Sequence, residues 1–341
     1  MASTKKVLLT GGAGYIGAHT AVELIQQGFE IIVVDDLSRS EKRIIDGIER
    51  ITNRKIAFYQ GDCRDERFLD TLFKNNQIDS VIHFAAFKSV NESVVNPLLY
   101  YQNNLGSMVA LLKTMEKFNV NKVIFSSSCT VYGQPDRIPV DESAPFKKAE
   151  SSYGATKQMC ERILEDSIHA NKNLRSVSLR YFNPVGAHPS ALIGELPIGT
   201  PSNLVPYVTQ TAAGIRQKLT VFGSDYDTPD GSCVRDFIHV VDLAKAHVKA
   251  LQKVTSLESR NEVFNLGTGD GVTVLDLVRR FIKTTGVQLN YEIGPRRAGD
   301  IEKIYANPAK AEKLLGWKTE LSLEESLLHA WHWEKNIRGI K

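Results

Sequence analysis

Tyr153 and Lys157 stand four residues apart in a Y-x-x-x-K pattern, downstream of the run Ser126–Ser127–Ser128. On a helix that spacing puts phenol and ammonium on one face. A phenol with a pKa of about 10 is a weak base at neutral pH. A cation beside it favours the phenolate and lowers that value. Phenol, ammonium and serine hydroxyl together suit the exchange of a proton with a substrate hydroxyl. Alone, the pattern is common by chance and reads first as an exposed Tyr–Lys pair on a helix, so the rest of the chain has to decide.

The deciding feature is Gly11-x-x-Gly14-x-x-Gly17, set between the apolar run Lys6–Thr10 and a helical stretch from Tyr15. The first glycine allows a tight turn, the second lets backbone approach a pyrophosphate, and the third lets helix and strand pack closely. The pyrophosphate then rests on the positive end of the helix. In this context the loop reads as a dinucleotide site rather than a plain glycine turn. Asp35 follows the next apolar run, Glu30–Val34. A carboxylate there accepts both ribose hydroxyls of an adenosine and repels a 2′-phosphate, which favours NAD over NADP. Arg39, close by, is the residue that would tolerate such a phosphate. Asp62 reads either as an acceptor for the adenine amino group or as a cap for the helix after it. A nicotinamide ring adds its positive charge to that of Lys157, and the proton exchange becomes one half of a hydride transfer.

Such residues need a scaffold that gathers several loops. Short apolar runs recur at Lys6–Thr10, Glu30–Val34, Ile56–Tyr59, Ser80–Phe84, Lys122–Ser126 and Arg175–Leu179. Helical stretches separate them at Tyr15–Gln27, Arg67–Asn75, Pro97–Phe118 and Ser152–His169. Runs apolar on both faces, alternating with helices, predict an α/β fold with a Rossmann-type doubly wound parallel sheet. Ligands lie beyond the carboxyl ends of such strands, where the glycine loop, Asp35 and the serine run fall. After Asn183 the texture changes. Asn183–Pro206 is rich in proline and glycine, Ser224–Ser232 is a second loop, and shorter elements lead to a helix near Leu323–Lys335. We expect a dinucleotide-binding domain over 1–183 and a smaller mixed α/β domain over 184–341, with part of 234–265 packing back on the first.

The chain has 341 residues, 42% hydrophobic and 24% charged, values that exclude a disordered or fibrous protein. Lys plus Arg number 42 and Asp plus Glu 39, a balance of +3 that argues against nucleic acid or an anionic membrane as partner. The uncharged stretches Ser93–Leu112 and Leu196–Ile215 are broken by amides or prolines, so no membrane span is expected. Met1–Lys6 lacks the apolar segment of a secretion signal. Cys63, Cys129, Cys160 and Cys233 form no C-x-x-C pair, which fits a reducing, cytoplasmic setting. Cys129 reads as a reactive thiol or a small buried residue. His329 and His332 have no companions for a metal site and read as packing beside Trp331 and Trp333; no metal is expected.

Beyond these readings, TGGAGYIGAHT, VIHFAAFKSV, YYQNNLGS, SSSCTVYG, YGATK, LRYFNPVGAHPS, PSNLVPYV, DGSCVRDFIHV and FNLGTGDGVTVLDL span most of the chain. Together they resemble the UDP-glucose 4-epimerases, members of the extended short-chain dehydrogenase/reductases. The resemblance implies interconversion of UDP-glucose and UDP-galactose through a 4-keto sugar, with a tightly held NAD regenerated at each turnover. It implies Tyr153 as acid/base, Lys157 as its activator and Ser128 as hydrogen-bond partner or proton relay. Gly11, Gly14, Tyr15, Ile16, Gly17, Asp35, Asp36, Leu37, Asp62, Cys63, Phe84, Ala85, Lys88, Asn103, Ser126, Tyr181 and Phe182 would line the NAD. Lys88, Asn183, Asn203, Leu204, Phe222, Arg235, Arg297, Asp300 and Ile304 would surround the UDP-sugar, with Ser128 and Tyr153. Planar, charged arginines suit a pyrophosphate. A homodimer packed through Pro97–Phe118 and Ser152–His169 is also implied.

Inverting one carbon demands that the hydride leave one face of the sugar and return to the other. The nucleotide must therefore be gripped firmly and the hexose loosely. Four positions depart from the family's usual pattern: Asp36, Arg39 and Cys129, together with Ile304, which stands where a bulky Tyr tends to exclude N-acetylated sugars and a small Cys tends to admit them. The competing readings are a 4-epimerase of UDP-N-acetylglucosamine or of UDP-xylose and UDP-arabinose, a 4,6-dehydratase, and a catalytically silent NAD-binding protein. The dehydratases carry an Asp–Glu pair where this chain has Cys129–Thr130, and intact Ser128, Tyr153 and Lys157 speak against silence.

Overall fold

Short segments with valine, isoleucine and leucine on both faces leave no side for water and settle in the middle of a parallel sheet. The computed structural model, which describes residues 5–297 and 300–341, contains one such sheet of seven strands. The first four residues of the polar stretch Met1–Lys6 lie outside the described residues. The strands are β1 (Lys6–Thr10), β2 (Glu30–Asp35), β3 (Ala57–Gln60), β4 (Ser80–His83), β5 (Lys122–Ser126), β6 (Arg175–Tyr181) and a strand from far down the chain, Asn261–Leu266. Their spatial order is Asn261–Leu266, β6, β5, β4, β1, β2, β3, and every pairing is parallel.

Alternation along β1 sends Val7 and Leu9 into one apolar layer and Leu8 into the other. The first layer holds the helices Tyr15–Gln26 and Val240–Lys253, and the second Glu66–Asn75, Gly106–Lys117 and Ser152–Ala170. This is the doubly wound α/β arrangement that the alternating pattern predicts. A third cluster joins the helices Leu204–Ala212, Val274–Thr285 and Leu323–Arg338 to a parallel ribbon formed by Leu219–Phe222 and Tyr291–Gly294. Among the described residues, no helix is long and apolar enough to cross a membrane.

Two expectations need correction. The elements after residue 206 are not all short: Val240–Lys253 and Val274–Thr285 have 14 and 12 residues. The first follows the strand Phe237–His239 with no glycine or proline between them. Its cap is the ring of His239, whose Nδ1 accepts from Val241 N at 3.0 Å. Short helices also form at Arg43–Thr52 and Val90–Val95, in segments without a clear expected period. Finally, the expected helix Pro97–Phe118 is interrupted. A π-helical turn, Tyr101–Leu105, separates Pro97–Tyr100 from Gly106–Lys117. That wide turn seats the Asn104 amide, which donates to Phe87 O at 3.1 Å and Thr156 Oγ1 at 3.0 Å and accepts from Phe87 N at 2.9 Å.

Burial leaves several histidines neutral. His19, His83 and His239 are pushed down to about 3, and His247 to about 4, chiefly because an imidazolium in these sites would lose its hydration. His247 Nδ1 lies 2.9 Å from Leu243 O, and its Nε2 has no partner. The folded pKa of His247 lies below its unfolded value, so the unfolded chain binds one more proton between them. The contribution is fully present above about pH 6.5 and is lost as pH falls towards the folded value. His247→Leu removes this proton uptake. Urea unfolding of the variant between pH 4 and 6 is expected to show a stability slope shallower by about 1.4 kcal/mol per pH unit.

Candidate active site

The strand order reverses between β1 and β4, and a crevice opens beyond their carboxyl ends. Gly11, with φ +70°, follows β1, and a Cβ there would lie 2.7 Å from Ala85 N, which follows β4. A Cβ on Gly17 would lie 2.5 Å from the Gly11 carbonyl oxygen. Gly14 precedes the helix Tyr15–Gln26, which has no side-chain cap and no acid in its first turn. Its leading N–H groups therefore present an uncompensated positive end to the crevice, suited to the diphosphate of a dinucleotide.

Asp35, at the end of β2, is buried. Its Oδ2 accepts from Ala13 N at 3.1 Å, and its Oδ1 from Leu37 N at 3.0 Å and Ser40 Oγ at 2.7 Å. Burial pushes its carboxyl up, and these bonds pull it back. Leu37 itself takes the left-handed backbone region at φ 60°, and Asp36 turns its carboxylate onto Ser38. Arg39 stacks 4.9 Å from the Phe87 ring centroid and pairs with Glu92 at 2.6 Å, so its guanidinium is already engaged. Asp62 does not cap the helix after it. Arg64 grips its carboxylate, with contacts down to 2.6 Å, and holds it below the usual range, while Asp65 caps the helix. Cys63 is buried, its thiol pushed up. Phe84 lies 4.8 Å from the His247 ring, and Ile16 packs on the core beside it.

The serine run forms the end of β5 and the turn after it. Tyr153 and Lys157 share the inner face of the helix Ser152–Ala170, and both are buried. Lys157 Nζ donates to Ser126 O at 2.6 Å and lies 4.8 Å from the Phe125 ring and 5.8 Å from that of Tyr153. The Ser126 hydroxyl meets that of Tyr181, and Phe182 is buried just beyond. Ser128 Oγ accepts from Thr130 Oγ1 at 3.0 Å. Burial pushes the Tyr153 phenol up to about 12, and the nearby Ser128 hydroxyl pulls the other way. Burial lowers Lys157 to about 8. The lowering of the phenol expected from Lys157 is thus outweighed by burial in the polypeptide alone. Burial also pushes the Cys129 thiol to about 12, which leaves it protonated and unreactive at neutral pH.

Two further constellations face this centre. Asp300 joins the arginines: Arg297 donates to it at 2.6 Å, Arg235 Nη2 lies 3.8 Å from the same oxygen, and Arg297 covers the Phe222 ring at 5.5 Å. Nearer the glycine loop, Glu195 Oε1 receives both Lys88 Nζ at 2.6 Å and Asn203 Nδ2 at 2.7 Å, and Tyr15 donates to Gly186 O at 2.7 Å. Leu204 opens the helix after Asn203. Asn183 N donates to Asp236 O at 2.9 Å. Asn103 donates to Asn104 at 3.0 Å within the π turn. Ile304 is buried with Tyr132 and Phe182. His329 meets His239 at 2.9 Å, and among the described residues no group of three or more His, Cys, Asp or Glu side chains could hold a metal ion. Sequence reasoning missed Glu195 and Asn104. The first lies five residues past the stretch LRYFNPVGAHPS, and the second is the partner in an Asn–Asn pair, so both carried a signal of position though not of role.

The NAD dependent epimerase/dehydratase family model matches residues 7–267. The chain belongs to this family. It is 49% identical to the UDP-glucose 4-epimerase of Bacillus subtilis (strain 168) over 337 residues, 98% of each chain. Among solved structures of family members, it resembles the UDP-glucose 4-epimerase of Bifidobacterium longum in complex with NAD+ and UDP, with TM-score 0.94, 46% identity, and 99% and 100% of the two chains covered. It also resembles that of Stenotrophomonas maltophila with bound NAD and formylated UDP-arabinopyranose, with TM-score 0.96, 46% identity and the same coverage.

The contact at Gly17 yields a test. Gly17→Ala forces a methyl onto the Gly11 carbonyl, and overpacking of this kind costs about 1–3 kcal/mol. The urea midpoint is expected to fall with the slope of the transition unchanged.

Proposed function

We propose that this protein interconverts UDP-glucose and UDP-galactose, inverting C4 through a transient 4-keto sugar, with a tightly held NAD. The observation that carries the reading is the meeting of Ser128, Tyr153 and Lys157 at the sheet edge beside the uncapped, glycine-lined helix end. NAD, when bound, supplies the acceptor for the C4 hydride and its return. In this reading Tyr153 exchanges a proton with the 4′-hydroxyl at its phenolic oxygen, and Ser128 orients or relays it. Lys157 holds positive charge 5.8 Å from the phenol ring, which favours the phenolate against the effect of burial. Gly11, Gly14 and Gly17 admit the diphosphate, and the remaining free acceptor capacity of Asp35 receives a ribose hydroxyl. Arg235 and Arg297, steadied by Asp300, grip the substrate diphosphate, with Phe222 and Asn203 at its flanks.

The reading extends to organisation. The first domain spans 1–183, and the second, 184–341, carries the grip on the nucleotide. A homodimer is supported by apolar side chains exposed along the two implied helices and just before them: Val95 is 76% and Leu98 80% exposed. Cytoplasmic residence is supported by four free cysteines. Ile304, intermediate in size and packed near the serine turn, supports some turnover of N-acetylated UDP-sugars.

Purified protein given UDP-galactose and, in parallel, UDP-N-acetylgalactosamine without added NAD tests the reading directly. Tyr153→Phe is expected to keep its fold and NAD content and to lose turnover by about 10²–10⁴-fold. Near-normal turnover in that variant would refute the assignment. Arg235→Ala is expected to raise KM for UDP-galactose at least about tenfold with NAD content unchanged, since a charge-assisted contact is worth about 1.5–3 kcal/mol. An unchanged KM counts against its role.

A further inference from the structure

Behind the serine turn lies a buried ion pair that the reaction just described does not use. Glu161 and Arg180 are both almost fully buried and form a bidentate pair, Nη2 to Oε2 at 2.6 Å and Nε to Oε1 at 2.9 Å. The same Oε1 accepts the Ser127 hydroxyl at 2.5 Å. Arg180 Nη1 donates to the Tyr132 hydroxyl at 2.9 Å, and that hydroxyl donates to Asn265 Oδ1 at 2.6 Å. Well-packed apolar residues replace such buried pairs at little or no cost, so stability alone is a weak reason for this one.

Its position supplies a better reason. Glu161 lies one helical turn beyond Lys157 and two beyond Tyr153, on the same buried face. Arg180 directly precedes Tyr181, whose hydroxyl meets that of Ser126. Lys157 therefore holds the carbonyl of Ser126, Tyr181 holds its hydroxyl, and Glu161 holds the hydroxyl of Ser127. Ser128 is the next residue, and its hydroxyl accepts from Thr130 N at 3.2 Å and Thr130 Oγ1 at 3.0 Å on the side of the phenol. We propose that Glu161 is a positioning residue for the proton transfer: its carboxylate, shared by the Ser127 hydroxyl and the Arg180 guanidinium, pins the Ser126–Ser128 turn against the helix that carries Tyr153 and Lys157. The role rests on the epimerase reading above.

Charge follows the same geometry. The groups facing Lys157 are His83 from β4, Tyr153, Cys160 and Glu161 from its own helix, and the Ser126 carbonyl from β5. Burial keeps His83 neutral and the Cys160 thiol protonated at neutral pH. Glu161 is then the carboxylate that offsets the desolvation of the ammonium.

Glu161→Gln alone strands Arg180, so Glu161→Gln with Arg180→Met is the informative variant. It is expected to retain the fold and bound NAD of the unmodified protein and a KM for UDP-galactose within about twofold, while kcat falls roughly 10- to 100-fold, as small misplacements of reacting groups do. The alkaline limb of its kcat profile is expected to move to lower pH, a shift that a purely structural role does not produce. Ser127→Ala is expected to lower kcat by about three- to tenfold in the same sense. Glu161→Asp, which keeps the charge, is expected to restore the alkaline limb. A folded, NAD-loaded double variant with unmodified kcat and pH profile overturns the role. If that variant does not fold, an unchanged kcat in Ser127→Ala overturns it. Absence of turnover in the unmodified protein, measured first, would instead sink the epimerase reading.

Discussion

A parallel sheet sends the carboxyl ends of all its strands to one edge, and the reversal of strand order between β1 and β4 opens that edge. The arrangement of the site depends on this reversal. The loop after β1 meets the segment after β4 so closely that Gly11 has no room for a side chain, and the helix that follows packs so tightly on that loop that Gly17 has none either. The loop after β2 places Asp35 on one side of the opening, and the turn after β5 places the serines on the other. Strands lie about 4.8 Å apart, so the three steps from β2 to β5 span roughly 14 Å. The nucleotide end and the proton-exchanging end are thereby set apart on one rigid frame, with the helix N-terminus between them.

Within that frame, burial acts against charge. Tyr153 and Lys157 are both withdrawn from water, which favours the neutral phenol and the neutral amine. Neither tendency helps proton exchange at neutral pH. The counterweights are local and directional: the Ser128 hydroxyl at the phenol, the Ser126 carbonyl on the ammonium, and the Glu161 carboxylate one turn away. Each is strengthened by the low dielectric that makes the burial costly.

Much of this was legible in the sequence because the sheet uses the strongest local signal available. Runs such as Lys6–Thr10 and Lys122–Ser126 are apolar and bounded by glycine, amide or hydroxyl residues, and they form strands with those limits. Y-x-x-x-K was readable because i, i+4 spacing has one meaning on a helix. What escaped lacked a local signature. The helix Val240–Lys253 is capped by a histidine ring rather than a recognised capping residue. The π turn at Tyr101–Leu105 is stabilised by an amide reaching Phe87 and Thr156, contacts far away in sequence. Asp62 and Asp65 are equivalent as letters, and the proximity of Arg64 decides which one caps. The partnership of Glu161 with Arg180 joins a helix to a neighbouring strand, so neither residue announces the other.

The strand Asn261–Leu266 completes the sheet by pairing with β6, although two elements of the third apolar cluster, Leu204–Ala212 and Leu219–Phe222, are encoded between them. Until Asn261–Leu266 docks, the β6 border of the sheet has backbone amides and carbonyls with no neighbouring strand to receive them. The opposite border, β3, has only four residues, and a short edge strand is a poor template for adhesion. β6 has no such protection, for its side chains are almost all destined for the interior. The seal on that border thus comes from a strand distant in sequence, and any opening that frees Asn261–Leu266 exposes an edge open to pairing with another chain.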